Sequence, residues 1–179
     1  NSLQAALASG WYAGRLTWDK NKKEIFGKNP ELLLQLEITY KDGSRATIAS
    51  DGQWEGTFAG PVLSSSIYDG EDFDARQQIS GWKPVLAQAD LGAAQLMPKP
   101  FLPVRETQLL VVKSITEPQP DRFVFDLGQN MVGWARLKVP VEKDRKVTLR
   151  FAEMHQADGT LYTENYRNAK SIDTYTAAK

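Results

Sequence analysis

The sequence predicts an all-β protein, an antiparallel, jelly-roll-like β-sandwich followed by part of a second β-sandwich. Three observations predict this class. Short runs of alternating apolar and polar residues recur along the 179-residue chain, turn signals such as Asp-Gly separate them, and no apolar pattern with the period of a helix is sustained. Many short strands between turns are typical of antiparallel sandwiches.

The clearest predicted strand covers residues 31–40, ELLLQLEITY, in which leucine and isoleucine alternate with polar residues. A second strand at 45–50 follows Asp42 and Gly43, a pair that tolerates positive φ and therefore favours a hairpin turn. Residues 51–61 contain another short strand. The first part of the chain thus reads as consecutive antiparallel strands.

Three stretches carry weaker signals. Residues 64–82 are polar and acidic with interspersed aromatic residues, and they predict a long structured loop with short extended pieces. Residues 83–104 hold four prolines and predict a linker with a weak helical piece at 86–96. Residues 2–9, SLQAALAS, favour a helix by composition, in conflict with the rest of the chain.

Five further strands are predicted in the second half, at residues 104–115, 122–127, 134–139, 147–151 and 172–176. Asp158 and Gly159 indicate a turn. Between the strands at 122–127 and 134–139, Gly128 and Gly133 bracket an excursion rich in side-chain amides. This excursion is either a bulge or corner fixed by those amides or a loop that faces a ligand or a neighbouring domain.

Charge and composition exclude several classes of function. Lys and Arg together number 22, as do Asp and Glu, so the net charge is zero. This balance argues against nucleic acid or an anionic membrane as a partner, and no apolar run is long enough to span a bilayer. The absence of cysteine excludes disulfides, thiolate zinc sites and cysteine nucleophiles. The compartment stays open, and the lack of an initiator Met predicts a chain entered partway.

Four carboxylates lie within six residues, at Asp69, Glu71, Asp72 and Asp74. Such a cluster could bind Ca²⁺, which takes several oxygen ligands, and Asp69, Asp72 and Asp74 are the candidate metal ligands. The acids could also accept hydrogen bonds from sugar hydroxyls. The alternative is a solvated loop whose acids hold its shape, because charged residues usually stay exposed. No cofactor is expected beyond this candidate calcium ion.

The candidate carbohydrate-binding residues are Trp11, Trp18, Tyr68, Asp69 and Glu71. An aromatic ring can stack on the face of a pyranose while neighbouring carboxylates accept hydrogen bonds from its hydroxyls. The alternative for the aromatic residues is a place in the core or an interface, because aromatic side chains contribute strongly to burial.

Several stretches resemble, in the same order, the bacterial α-L-rhamnosidases of glycoside hydrolase family 78. They are GWYAGRL (10–16), PELLLQLEITYKDGS (30–44), SSIYDGEDFDAR (65–76), GWKPV (81–85), ITEPQPDRFVFDLGQNMVGWARLKV (115–139) and VTLRFAEMHQADGTLYTENYRNAKSIDTYT (147–176). The resemblance covers nearly the whole chain, and its long motifs are specific.

The resemblance implies a part of a larger modular enzyme. In this family, accessory β-sandwich domains precede an (α/α)₆ barrel that removes terminal rhamnose with inversion. Residues 1–115 resemble part of the N-terminal, carbohydrate-binding-like jelly-roll domain, and residues 116–179 resemble the start of the following sandwich. The resemblance therefore implies a non-catalytic accessory fragment that supports the barrel and shapes the substrate's approach. The alternative is a carbohydrate-binding module for rhamnose-containing glycans.

The absence of the barrel bears on catalysis and on calcium. Inverting hydrolysis needs two carboxyl groups about 6.5–9.5 Å apart, which the resemblance places on the barrel, so we expect this chain alone to hydrolyse nothing. Some family members bind rhamnose through calcium, using an acidic and an amide residue in the loop after the GWYAGR-like strand. Here Lys23 and Glu24 stand at that place, and a lysine cannot ligate a cation. Either Asp19 and Asn21 substitute, or calcium binding is lost; we expect loss.

Overall fold

The computed structural model describes residues 2–88, 92, 95–138 and 140–179. Within them the chain forms β-strands joined by turns, with one short helix, α1, at Gly10–Ala13 and a 3₁₀ turn at Glu164–Tyr166. The predicted all-β class is confirmed. None of the helices in the described part of the chain has the length and hydrophobicity to cross a membrane.

The strands are short, with two to six residues each. They are β1 (Gln35–Thr39), β2 (Arg45–Ala49), β3 (Glu55–Gly56), β4 (Val62–Ser66), β5 (Gly70–Asp74), β6 (Lys83–Pro84), β7 (Ser114–Gln119), β8 (Arg122–Asp126), β9 (Lys146–Arg150), β10 (Met154–His155), β11 (Leu161–Tyr162) and β12 (Ile172–Thr176).

Strands β1 and β2 form the predicted antiparallel hairpin. The turn has Gly43 at φ 84°, and the Asp42 carboxylate accepts hydrogen bonds from the Ser44 backbone N–H and hydroxyl at 2.9 and 2.7 Å. Leu36 pairs with Ile48 in the register, so the alternating apolar residues of both strands share one face, as predicted. The hairpin forms a two-stranded sheet of its own.

The short extended pieces predicted within the long loop at 64–82 are present, but they are paired as a regular β-hairpin, β4–β5, over residues 62–74; residues 75–82 form no named strand. Gly70 turns the chain with φ 95°, and Ser65 pairs with Glu71 in the antiparallel register. The run of serines and acids has low β-propensity, which by itself favours a loop. Pairing with neighbouring strands overrides this local preference, because β-propensity depends strongly on context.

The hairpin β4–β5 belongs to a mixed four-stranded sheet in the order β4-β5-β12-β9. Strand β12 is antiparallel to β9 and parallel to β5, with Thr174 opposite both Thr148 and Asp72. The predicted strand at 172–176 is confirmed, whereas the expectation of antiparallel pairing throughout fails at the β5–β12 pair. Two strands of this sheet precede the predicted domain division at residue 115 and two follow it; that division stays a prediction.

The remaining strands form two-stranded sheets, β3–β6, β7–β8 and β10–β11. Residues 122–126 confirm one predicted strand, and the turn at Asp158 and Gly159 lies between β10 and β11 as predicted, with Gly159 at φ 82°. The strand predicted at 104–115 begins only at Ser114. An alternating pattern describes which face a side chain would occupy, but a strand also needs a backbone partner.

Other predicted elements are missing from the described residues. Residues 134–138 form no strand, although their side chains alternate, and Val139 lies outside the described residues. Residues 2–9 form no helix. The described part of the predicted helical piece at 86–96 is not helical, and its residues 89–91, 93 and 94 lie outside the described residues.

The structure leaves much of its apolar surface uncovered. The accessible surface is 15498 Å², whereas a self-contained protein of 20.0 kDa exposes about 8,700 Å². Within the described residues, only Ala13, Asp74 and Ala177 are buried. The strands are therefore paired through their backbones, while the described residues leave the faces of their sheets largely uncovered.

Candidate functional site

A polar cavity of about 290 Å³ lies where three separate segments of the chain meet: the loop after α1, the turn between β4 and β5, and the segment after the 3₁₀ turn. Five side chains line it: Arg15, Lys20, Asp69, Asn168 and Lys170. The backbone N–H groups of Lys170 and Ser171 both donate to the Tyr68 carbonyl, at 3.0 and 3.1 Å. These bonds hold the last segment against the β4–β5 turn.

The loop after α1 is shaped by its own polar residues. Arg15 and Lys23 form an isolated antiparallel bridge, and the Asn21 backbone N–H donates to the Asp19 carboxylate at 3.0 Å, which closes the tip as an Asx turn. The Lys23 ammonium lies 3.8 Å from the Glu24 carboxylate. These are the positions at which the resemblance implied a calcium ligand pair, and the expected loss of calcium binding there stays a prediction.

Arg15 is the central cation of this cavity. Its side chain is only 10% exposed. Its Nη1 donates to Asn168 Oδ1 at 3.1 Å, and its guanidinium carbon lies 4.5 Å from the centre of the Tyr68 ring, a cation–π contact. Its Nη2 lies 3.7 Å from Asp69 Oδ1, which is an ion pair but too long for a hydrogen bond.

The predicted aromatic residues lie next to the residues that line this cavity: the Tyr68 ring contacts Arg15, and the Trp18 carbonyl accepts from Asn168. Trp11 packs edge-on against Tyr68, with ring centres 6.3 Å apart and planes at 84°. The Arg167 guanidinium lies 3.9 Å from the centre of the Trp18 ring. Together with Asp69, these residues account for four of the five predicted carbohydrate-binding positions, so the structure brings four of them together. Their role in binding a sugar stays a prediction.

The backbone beside the cavity adopts an unusual conformation. Arg167 and Ser171 have positive φ angles of 56° and 50°, a region that non-glycine residues rarely occupy. They flank Asn168, whose side-chain amide donates to the Trp18 carbonyl and accepts from Arg15. Such conformations persist only where the surroundings fix them, and they are common at functional sites.

Sequence reasoning missed four residues of the cavity lining: Arg15, Lys20, Asn168 and Lys170. Arg15 belongs to the GWYAGRL stretch that carries the family resemblance, and this was the available signal. Asn168 lies 153 positions away from it in the chain, and no local pattern marks it. The fifth predicted carbohydrate-binding residue, Glu71, lies elsewhere and lines a second cavity.

The predicted acidic loop forms the turn before β5 and β5 itself, and three of its four carboxylates, those of Asp69, Asp72 and Asp74, face basic partners. Asp74 is 4% exposed and accepts from Arg76 Nε and Nη2 at 2.8 and 2.9 Å. Arg76 Nη1 donates in turn to Asp144 at 2.9 Å. Hydrogen bonds from Arg76 hold the pKa of Asp74 well below its usual range, and those to the two carboxylates raise the pKa of Arg76. This arginine joins the end of β5 to the turn before β9.

The three predicted metal ligands are also separated from one another by their partners. Asp72 accepts from the Thr174 hydroxyl and lies 3.9 Å from the Lys146 ammonium, while Asp69 faces Arg15 and Asp74 binds Arg76. In the part of the chain that the structure describes, no group of three His, Cys, Asp or Glu side chains is placed to hold a metal ion. Carboxylates that are already paired with arginine or lysine do not fit a calcium site. Calcium binding by these acids stays a prediction, and the structure does not bring them together as ligands.

The second cavity, of about 560 Å³, lies over one face of the four-stranded sheet. Phe73 of β5 and Tyr175 of β12 stack there, with ring centres 5.7 Å apart and planes at 12°. Val147 and Leu149 extend the same apolar face, and Leu137 covers part of it. This cavity is an incompletely covered sheet face rather than a polar site.

Comparison with known protein families shows which family the chain belongs to. Residues 1–114 match the alpha-L-rhamnosidase N-terminal domain. The chain belongs to this family. Residues 116–178 match the bacterial alpha-L-rhamnosidase concanavalin-like domain. The resemblance inferred from the sequence is thus confirmed.

Similar proteins are considerably longer. The chain is 42% identical to an alpha-L-rhamnosidase of Formosa agariphila, over 100% of this chain and 20% of the relative. It is 40% identical to an alpha-L-rhamnosidase of Streptomyces avermitilis, over 98% of this chain and 18% of the relative. The chain therefore spans about a fifth of the length of the curated relatives it matches.

Solved structures agree with this assignment. The crystal structure of Streptomyces avermitilis alpha-L-rhamnosidase complexed with L-rhamnose is similar with a TM-score of 0.83 and 38% identity, covering 94% of this chain and 17% of that one. The alpha-L-rhamnosidase of Aspergillus terreus is similar with a TM-score of 0.73 and 32% identity, covering 94% and 20%. The fold of this chain is thus that of one region of larger rhamnosidases.

Proposed function

We propose that this chain is a non-catalytic accessory region of an α-L-rhamnosidase, which supports the catalytic barrel and shapes the approach of substrates that end in α-L-rhamnose. The observation that carries the proposal is the pair of family matches, at residues 1–114 and 116–178. Both matches are to β domains that accompany the catalytic part in the family resemblance. The proposed division at residue 115 follows from the same reasoning.

The uncovered apolar surface is an argument for a role in supporting the catalytic barrel. An accessible surface of 15498 Å² is far above the roughly 8,700 Å² expected for this mass. Large apolar side chains such as Phe58, Val132 and Val104 are exposed. Exposed apolar faces of this extent mark sites of contact with other protein. We propose that the remaining parts of the parent enzyme, its catalytic barrel included, cover them.

The carboxyl groups with shifted pKa values support a non-catalytic role. Hydrogen bonds from Ser44, Arg76 and Thr160 lower the pKa of Asp42, Asp74 and Asp158, respectively. The general acid of an inverting glycosidase needs the opposite shift, which keeps its proton at neutral pH. None of these three acids therefore has the raised pKa that a general acid needs, and we propose that the chain alone hydrolyses no glycoside.

A second candidate function is a carbohydrate-binding module for rhamnose-containing glycans. The observation that favours it is the convergence of Trp11, Trp18, Tyr68 and Asp69 around the polar cavity. Titration with L-rhamnose, with and without calcium, while following tryptophan fluorescence distinguishes the two functions. Saturable quenching favours the binding module, and an unchanged signal favours the supporting region.

The supporting role is tested in the Streptomyces avermitilis relative. Deleting the segment that matches this chain is expected to abolish soluble, active enzyme, and replacing that segment with this chain is expected to restore hydrolysis of an aryl α-L-rhamnoside. The purified chain alone serves as the control and is expected to release no product. Full activity of the deletion variant, or hydrolysis by the chain alone, would contradict the proposal.

A further inference from the structure

The Arg15 guanidinium is largely buried, but not all of its N–H groups are hydrogen-bonded. Its side chain is nine-tenths buried, yet Nε and Nη2 have no hydrogen-bond partner, the only such buried side-chain atoms in the described part of the chain. Burying charged donors without partners is unfavourable, because their hydration is lost and nothing replaces it. The conformation therefore leaves two strong donors ready for an acceptor.

These two donors have the geometry that recognises a carboxylate. Nε and Nη2 lie along the same edge of the planar guanidinium, and this edge can donate two parallel hydrogen bonds to the two oxygens of one carboxylate. Asp69 is the nearest acid, and its Oδ1 is 3.7 Å from Nη2, beyond hydrogen-bond distance. The Asp69 side chain is 41% exposed, so it is free to turn outward.

The charge of the lining favours an anion. Arg15, Lys20 and Lys170 contribute three positive charges and Asp69 contributes one negative charge, which leaves an excess of two positive charges. Neither lysine ammonium forms a salt bridge within the described residues. A concave site lined by one sign of charge attracts a ligand of the opposite sign.

We propose that this cavity binds the carboxylate of an acidic sugar, with Arg15 as the bidentate partner and Lys20 and Lys170 as the flanking cations. The carboxylate follows from the geometry of the cavity, whereas the sugar that carries it rests on the proposed function in glycan hydrolysis. The volume of about 290 Å³ is at the small end of ligand pockets, and it fits a single sugar unit rather than a long segment of glycan.

The experiment is a titration of the full chain with D-glucuronate at constant ionic strength, followed by tryptophan fluorescence and calorimetry. D-Glucose and acetate are titrated in parallel. Saturable binding of glucuronate that weakens with added salt, together with binding of glucose and acetate at least tenfold weaker, is expected, because the charge and the sugar ring both contribute.

Paired variants locate the site. The double variant K20Q/K170Q is expected to weaken glucuronate binding about threefold to tenfold, the range for partly exposed charge pairs. R15K keeps the charge but loses the bidentate edge, and it is expected to weaken binding at least tenfold. The control K41Q/K143Q removes two exposed lysines outside the cavity and is expected to bind as the original chain does.

Four results would overturn the proposal. They are an absence of saturation with glucuronate, equal binding of glucose, unchanged binding by K20Q/K170Q, and tight binding of a tri-glutamate peptide in preference to glucuronate. The last result would assign the cavity to an acidic side chain of another protein segment. None of them depends on restored activity of the Streptomyces avermitilis relative, so failure of this site and failure of the supporting role are distinguishable.

Discussion

The hairpin β1–β2 and the sheet β4-β5-β12-β9 are both built from short strands, yet they are held together differently. The hairpin's contacts are local: adjacent strands, a tight Asp-Gly turn, and one shared apolar face. The sheet joins segments about a hundred positions apart, through the parallel pair β5–β12 and the arginine that links Asp74 to Asp144. The alternation of apolar and polar residues specifies a local β-hairpin, whereas long-range polar contacts specify which strands pair with one another.

The sharpest way to break this comparison is a proline in each region. Thr174 has a paired strand on both sides, so T174P removes a ladder hydrogen bond whichever way its N–H points. Proline is excluded from central strands, and the acceptor left without its donor alone is expected to destabilise the fold by about 1–3 kcal/mol. A46P removes a bond in the isolated hairpin and is expected to unravel only that hairpin. Hydrogen exchange measures both. Equal loss of protection across the whole chain in the two variants would contradict the comparison.

Two glycines offer a matched test with a smaller effect. Gly43 and Gly70 both have positive φ, at 84° and 95°, so an alanine is strained at either position. At Gly43 the added methyl group meets open space, whereas at Gly70 it would collide with the Ile172 carbonyl. G43A is expected to cost about 1 kcal/mol, and G70A clearly more, as measured by chemical denaturation. Similar costs would show that the close approach of β12 adds nothing.

Removing the Asp74 carboxylate tests the polar link itself. D74N leaves Arg76 with one charged partner instead of two. It is expected to lower the melting temperature by roughly 5 °C, because hydrogen bonds to charged groups contribute about 1.5–3 kcal/mol and 1 kcal/mol shifts the melting temperature of a protein of this size by about 2–4 °C. D121N is the control, because the Asp121 side chain is exposed and has no partner in the described part of the chain. Equal melting temperatures of D74N and D121N would show that the hydrogen bonds between Asp74 and Arg76 do not stabilise the sheet.

The pH dependence gives the smallest expected difference. The folded-state pKa of Asp74 is lowered by its hydrogen bonds to Arg76, so its contribution to stability is present above the unfolded carboxyl pKa of about 3.9. That contribution is lost as the pH falls below this value toward the folded pKa. The difference in melting temperature between the original chain and D74N is therefore expected to shrink as the pH falls below about 4. A difference that grows with acidity would contradict it.

The sequence was sufficient for the local elements and insufficient for their assembly. The β1–β2 hairpin and β12 could be predicted, because alternation and turn residues act within a few positions. The β4–β5 hairpin could not, since Ser64, Ser65 and Ser66 carry no apolar pattern. The family could be recognised from long motifs, and the later comparisons confirm it.

The candidate site was predictable only in part, for a related reason. Trp18, Tyr68 and Asp69 stand out as residue types suited to sugars; Asp69 lines the cavity, and Tyr68 and Trp18 contact its other lining residues. The contact between Arg15 and Asn168 spans 153 positions in the chain. The positive φ of Arg167 could not be predicted from its residue type, because arginine rarely adopts this conformation. Contacts of this kind form only in the completed fold, and they produce no periodic pattern in the sequence.

The parallel pair β5–β12 has a consequence for the order of folding. The hairpin β4–β5 can form as soon as its own residues are synthesised, because its contacts are local. The second partner of β5 is made about a hundred residues later, so one edge of β5 stays open during that interval. An open strand edge invites pairing with other chains. Slow translation between residues 75 and 171 would therefore favour aggregation of the nascent polypeptide.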